Sequence, residues 1–136
     1  NPNAIFRKGD SIMAFADYEI VKESQDEYSV YKDNIFMTSC GTCRIALSYC
    51  ILDKNKMLND AKNLVVLEDK ILGRQNEMMH YRHVASSSKV DEFRREVVLH
   101  RLTSAKAEYQ MLQKQLTKSI NVAKYCQQKG FENEII

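Results

Sequence analysis

Two closely spaced pairs of metal-binding side chains are the most chemically suggestive residues in this sequence. Cys40 and Cys43 are separated by two residues, and so are His80 and His83. Two thiolates and two imidazoles can complete a tetrahedral zinc site. The interval from Cys43 to His80 is far longer than in compact zinc motifs, however, and the cysteine pair lacks the strand–helix–strand setting of a thioredoxin-like redox site. We therefore predict no metal and no cofactor, and we interpret the cysteines as structural thiols.

Residues that could catalyse a reaction do not form a recognisable pattern. The sequence shows no nucleophile with a neighbouring base, no paired carboxylates in an apolar setting and no glycine loop that could hold a phosphate. The run Ser86–Ser88 has no flanking glycines of the kind that build a nucleophile elbow. We predict that the protein is not an enzyme.

Charged residues are segregated along the chain, although the net charge is only +2. The segment 10–34 has seven acidic residues against two lysines, whereas the segment 94–129 has eight basic residues against two glutamates. This distribution predicts either that the acidic segment lies near the basic one, or that a basic face binds an anionic partner. A membrane is favoured over nucleic acid, because the basic positions have little aromatic interleaving and no nucleic-acid-binding motif. The candidate surface for an anionic partner consists of Arg82, Lys89, Arg94, Arg95 and Arg101.

The scarcity of glycine and proline indicates which elements must position these residues. The chain has one proline and four glycines, whereas a β-protein needs turn residues at intervals of about 8–12 residues. The sequence therefore predicts an all-α fold, either an elongated antiparallel three-helix bundle or a long helical hairpin with a coiled-coil seam. The predicted organisation is an extended lead-in at 1–9, a single helical domain at 10–130 and a tail at 131–136. The predicted helices cover about 11–38, 43–83 and 89–129, and Gly130 is expected to end the last one.

The third predicted helix has the most regular spacing. From Val98 to Cys126 the positions of one stripe recur in alternating steps of four and three residues. This is the heptad pattern of a coiled-coil seam, in which one helix face is shielded from water. The predicted interface seam consists of Val98, Leu102, Ala105, Tyr109, Leu112 and Leu116. We infer a non-enzymatic helical scaffold or oligomerisation module, which associates with a second copy as a homodimer or with another helical protein.

A family resemblance suggests an alternative function. The residues that carry it are the run Leu64–Leu72, then Arg74, Met78 and Tyr81, then Lys106–Tyr109. On these residues the stretch 64–116 resembles the helical hairpin in the C-terminal BAR-type region of sorting nexins. The resemblance implies long antiparallel helices that dimerise and lay a basic surface on anionic membranes. It therefore implies a peripheral membrane-binding module in endosomal trafficking, with Arg82, Lys89, Arg94 and Arg95 facing the membrane.

Cysteine usage and hydropathy bear on the compartment. Four irregularly spaced cysteines and the absence of an Asn-x-Ser/Thr sequon are unlike a small secreted scaffold, which usually has denser cysteine. We predict a cytoplasmic protein with reduced thiols, which could also lie peripherally on a membrane. No apolar run approaches the roughly 20 residues that cross a bilayer, and no signal segment opens the sequence. Because the chain begins at Asn1 rather than at a methionine, we expect a trimmed sequence, which is either one domain or a fragment of a larger protein.

Overall fold

The computed structural model describes the backbone of residues 9–135 and the side chains of residues 9–129. Within this range four β-strands precede three α-helices. The strands are β1 (Asp10–Phe15), β2 (Tyr18–Ser24), β3 (Glu27–Lys32) and β4 (Ile35–Cys40). The helices are α1 (Cys43–Lys54), α2 (Leu58–Ala85) and α3 (Glu92–Ile135). The prediction of an all-α fold is therefore wrong, both as a three-helix bundle and as a long helical hairpin alone, because the fold is α+β. Of the predicted lead-in, residues 1–8 lie outside the described residues.

The predicted first helix, 11–38, is instead an antiparallel sheet in the order β1-β2-β3-β4. Two-residue turns join its strands, as the pairs that flank them show: Phe15 with Tyr18, Ser24 with Glu27, and Lys32 with Ile35. In the last turn Asp33 and Asn34 both have positive φ, 51° and 66°. That is the conformation of a type I′ turn, whose twist matches the flanking strands, and Asp and Asn tolerate it better than most residues. The all-α prediction considered only glycine and proline as turn residues, whereas turns containing Asp or Asn connect the strands of this sheet.

The centre of the sheet is formed by β2 and β3. Ile20 lies opposite Val30, and both side chains are fully buried. The helix α1 packs against β2, β3 and β4, and it is buried nearly all round, as expected for a helix covered on more than one side. Its first turn is capped by Thr42, whose hydroxyl accepts a hydrogen bond from the Ile45 N–H at 3.3 Å. The sheet and α1 therefore share one apolar core.

The predicted second helix, 43–83, is two helices in the structure. After α1 ends, the Asn55 side chain donates a hydrogen bond to the Ile51 carbonyl at 2.7 Å. Lys56 then adopts a positive φ of 62°, which is incompatible with continuing a right-handed helix, and α2 begins at Leu58. The last helix, α3, continues through Gly130 to Ile135, beyond the end that the sequence predicted.

The chain divides into two compact units. One contains the sheet, α1, the start of α2 as far as Val66 and the end of α3 from Lys118 onward. The other runs from Leu67 to Thr117 and contains the rest of α2 and α3 with the loop that joins them. We call this second unit the hairpin, because its two helices run antiparallel, as the contacts described next establish.

Candidate interaction surfaces

The two helices of the hairpin are held together by an internal apolar contact. Met78 of α2 forms a buried cluster with Leu102 and Ala105 of α3, and Tyr81 and Tyr109 pack against it. Leu102, Ala105 and Tyr109 all belong to the predicted seam. In this part of the hairpin, the seam is therefore occupied by the chain's own α2 and is not open to a partner.

The rest of the predicted seam varies in burial. Val98 and Leu112 are buried, whereas Leu116 is half-buried.

The hydroxyl of Tyr109 accepts hydrogen bonds from the side-chain amides of Gln75 at 3.2 Å and Gln113 at 3.0 Å. Gln75 belongs to α2, so this polar contact crosses between the helices, and such contacts help to set the register of coiled coils.

One side of the hairpin is a charged groove. Arg74 of α2 forms ion pairs with Glu77 at 2.9 Å and with Glu108 of α3 at 3.3 Å. These residues line an open groove of about 330 Å³ together with Tyr81, His100, Arg101, Ser104 and Ala105. The charge of Arg74 is thus already balanced by two carboxylates, which leaves the groove polar but without a concentrated positive field.

Arg95 stabilises the loop between α2 and α3 through side-chain hydrogen bonds. Its guanidinium donates hydrogen bonds to the backbone carbonyls of Ala85 at 3.0 Å, Ser87 at 3.0 Å and Val90 at 3.2 Å. A fourth N–H pairs with the Glu92 carboxylate at 2.8 Å. Because a guanidinium has only five N–H donors, Arg95 has little capacity left for the anionic partner that the sequence predicted for it.

The other members of the predicted anionic-partner surface are accessible. Arg82, Lys89, Arg94 and Arg101 are all exposed. Phe93 at the start of α3 is 79% exposed, the largest value among the large apolar side chains that the structure describes. We call Arg82, Lys89, Phe93 and Arg94 the basic tip. All three histidines of the chain, His80, His83 and His100, lie on the hairpin and are also exposed.

The side of the hairpin away from the charged groove carries exposed apolar side chains on both helices. On α2, Met79 follows the inward-facing Met78, and Leu72 lies seven residues earlier on the same helix face. On α3, Leu99 follows the buried Val98. A step of one residue turns each helix by about 100°. Because the helices are antiparallel, that step leads to the same side of the pair. We call the exposed residues Leu72, Met79 and Leu99 the neutral flank.

The unit that contains the sheet holds a buried carboxylate with polar partners. Asp53, in the last turn of α1, accepts a hydrogen bond from the Tyr18 hydroxyl, and its Oδ2 lies 3.6 Å from Lys32 Nζ. Burial, and then the hydrogen bond to Asp53, raises the pKa of Tyr18 far above its ordinary range, so the phenol keeps its proton. Lys32 also offsets the unfavourable effect of a carboxylate near a helix C-terminus. We interpret this cluster as a link between α1 and the sheet rather than as an active site.

The cysteines are thiols and not disulfides in the described chain. Burial, with the nearby charge of Asp53, raises the pKa of Cys50 to about 12. Since the thiolate is the reactive form, Cys50 is inert at neutral pH. Over residues 9–129, no group of three or more His, Cys, Asp or Glu side chains is placed to hold a metal ion.

Comparisons with protein-family models, with curated proteins and with solved structures found no match for this chain. Among the helices of residues 9–135, none combines the length and apolar character needed to cross a bilayer.

Proposed function

We propose that this chain is a non-enzymatic protein-association module in which the hairpin pairs with the hairpin of a second copy. The contact is the neutral flank, Leu72, Met79 and Leu99. The observation that carries this proposal is that these side chains remain exposed although the internal seam is already filled; Met79 is 65% exposed and Leu72 is 55% exposed. Burying a whole Leu or Met side chain is worth about 1.5–3 kcal/mol, so covering this flank would supply a useful driving force.

A second copy fits this flank because the flank carries little charge. In a two-fold dimer the same patch meets itself, so a patch of one charge sign would repel its copy. Asn76 and Thr103, which border the neutral flank on the helical projection, are uncharged, whereas Glu96, three residues before Leu99, is charged and exposed. The neighbouring Lys106 is exposed, and its long stem can direct the ammonium group to solvent. The reduced cysteines fit a reducing compartment such as the cytoplasm for this association.

Sedimentation analysis of matched variants tests the proposal. Met79→Glu places a charge in the neutral flank, whereas Met111→Glu makes the same change at an α3 position that is 53% exposed and lies off that flank. We expect Met79→Glu to lower the weight-average mass and to weaken self-association by about tenfold or more, which corresponds to about 1.4 kcal/mol. Met111→Glu should leave the mass at the wild-type value. Equal effects of the two variants, or a wild-type chain that is monomeric at high concentration, would contradict the proposal.

A second candidate function is attachment to an anionic membrane through the basic tip. The observation that favours it is the exposure of Phe93 beside Arg94, although the exposed acidic residues Asp91 and Glu92 precede it. Each Lys or Arg near an anionic membrane contributes about 1 kcal/mol, and an exposed aromatic ring can enter the interface between headgroups and acyl chains. The resemblance to the membrane-binding helices of sorting nexins also supports this candidate, although Arg95 would serve the loop and not the lipid.

Vesicle co-sedimentation tests the membrane candidate. Vesicles with phosphatidylserine should bind the chain at low salt and release it at high salt, because salt screens the attraction between exposed basic side chains and anionic headgroups. Phe93→Ser and Arg94→Glu should each reduce binding, whereas Lys114→Glu, an exposed charge reversal farther along α3, should have a smaller effect. Equal binding to uncharged vesicles would count against an electrostatic contact.

A further inference from the structure

The unit that contains the sheet has an edge strand of unusual composition. β4 is at one end of the strand order and pairs with β3 alone among the described strands. Ile35, Phe36 and Met37 are exposed on it. An edge strand presents a row of backbone N–H and C=O groups on its open side, and these can pair with another strand.

β4 has few of the features that normally protect an edge from such pairing. Its residues, Ile35–Cys40, include no charged residue and no proline, which are the usual means of preventing edge-to-edge contact. Its register is interrupted beside Met37, between the pairs Val30–Thr38 and Tyr31–Phe36, and this bulge bends the strand without adding charge. The opposite edge, β1, also has a bulge, between Ser11 and Met13, and differs from β4 in beginning with a charged residue, Asp10. Of the two edges of the sheet that the described residues form, β4 is therefore the more receptive to another strand.

From these features we infer that β4 pairs with β4 of a second copy in an antiparallel, two-fold arrangement that extends the sheet to eight strands. A strand that meets itself brings each of its side chains near those of its copy, so a charged strand would be repelled, whereas the uncharged β4 is compatible with itself. The exposed apolar side chains of both copies are then covered together. This contact lies on different residues from the neutral flank and does not depend on the function proposed above.

Two different two-fold contacts on one chain have a consequence for mass. A chain whose neutral flank and β4 contact different copies assembles beyond a dimer, because each copy then holds two neighbours. A chain with one contact removed stops at a dimer. The two contacts can therefore be separated by mutation and followed in the same measurement.

The test combines Ile35→Glu with the hairpin variant Met79→Glu in the full chain. Ile12→Glu on β1 is the control, because Ile12 is 45% exposed and Ile35 is 55% exposed, both on edge strands. We expect a dimer for Met79→Glu alone, a dimer for Ile35→Glu alone and a monomer for the double variant. Ile12→Glu combined with Met79→Glu should remain a dimer. A monomeric Met79→Glu protein would overturn the pairing of β4, whereas a monomeric Ile35→Glu protein would overturn the function proposed for the hairpin.

Hydrogen exchange tests the same contact without altering β4. In the Met79→Glu protein, raising the concentration through the dimerisation range should slow the exchange of amides in β4 by about tenfold or more and leave those of β1 unchanged, since only newly paired amides gain protection. This result does not depend on whether Ile35→Glu folds. Exchange in β4 that is independent of concentration would overturn self-pairing and would leave an extended segment of another protein as the occupant of this edge.

Discussion

Arg94 and Arg95 are adjacent basic residues at the start of α3 with different roles. The sequence assigned both to one anionic-partner surface, since charge alone does not distinguish them. Consecutive side chains on a helix point about 100° apart, so only one of the two can face the loop. Arg95 does so and donates to three loop carbonyls, whereas Arg94 is exposed. The direction of a side chain, rather than its type, separates the positioning residue from the surface residue.

At the scale of this residue, we expect Arg95→Ala to lower the free energy of unfolding by about 1–3 kcal/mol, because hydrogen bonds from a charged donor to loop carbonyls are lost. Arg95→Lys should recover only part of this, since an ammonium group lacks the planar fork of a guanidinium. Urea denaturation measures both. Arg94→Ala is the control and should change stability by less than about 0.5 kcal/mol. Similar losses at the two arginines would mean that the carbonyl contacts contribute little.

At the scale of elements, residues 10–40 show how a helical pattern can describe a sheet. Val21, Tyr28 and Ile35 are seven residues apart, which fits a helix stripe. In the structure they lie on three successive strands, because two-residue turns repeat at 16–17, 25–26 and 33–34. Those turns recur every eight or nine residues, within the spacing expected of hairpins. The signal was available in Asp17, Asp26 and the pair at 33–34, but counting only glycine and proline missed it.

We expect the last turn of the sheet to be sensitive to side-chain shape. Asp33 has a φ of 51°, where a β-branched residue is strongly disfavoured. Asp33→Val should therefore lower the free energy of unfolding by about 1–2 kcal/mol, whereas Asp33→Gly should cause no loss. Gln25→Val is the matched control, because Gln25 occupies a turn position without a positive φ. Thermal denaturation compares the three variants, and equal effects of the two valine substitutions would contradict the turn assignment.

At the scale of the whole molecule, buried titratable groups in the core beside α1 make the stability of the fold depend on pH in the alkaline range. Burial is the first cause of the raised pKa of Cys50, Tyr18 and Tyr49. In the unfolded chain these groups ionise near their ordinary values, 9.0 for the thiol and 10.0 for the phenols. Folding must therefore retain protons that the unfolded chain releases. The stabilisation is fully present below pH 9.0 and is lost as the pH rises toward about 12.

We expect the free energy of unfolding to fall progressively above pH 9.0, the ordinary pKa of the Cys50 thiol. Urea titrations at a series of alkaline pH values measure this slope. Cys50→Ala removes one of the titrating groups, so its curve should be shallower than that of the wild type over the same range. Labelling of Cys50 by a thiol reagent at neutral pH should occur only with unfolding. A pH-independent stability up to pH 11 would contradict the burial of these groups.

The sequence by itself contains the heptad spacing from Val98 to Cys126 and the seven-residue interval between Leu72 and Met79, because helix periodicity is a local property of the chain. It also contains the uncharged composition of residues 35–40. Only the tertiary structure decided what each pattern contacts. It placed Met78 against Leu102, so that part of the seam is filled within the hairpin, and it placed Ile35 on an edge strand of the sheet that the described residues form. Spacing specifies which side chains share a face, whereas the partner of that face depends on long-range packing, which spacing does not encode.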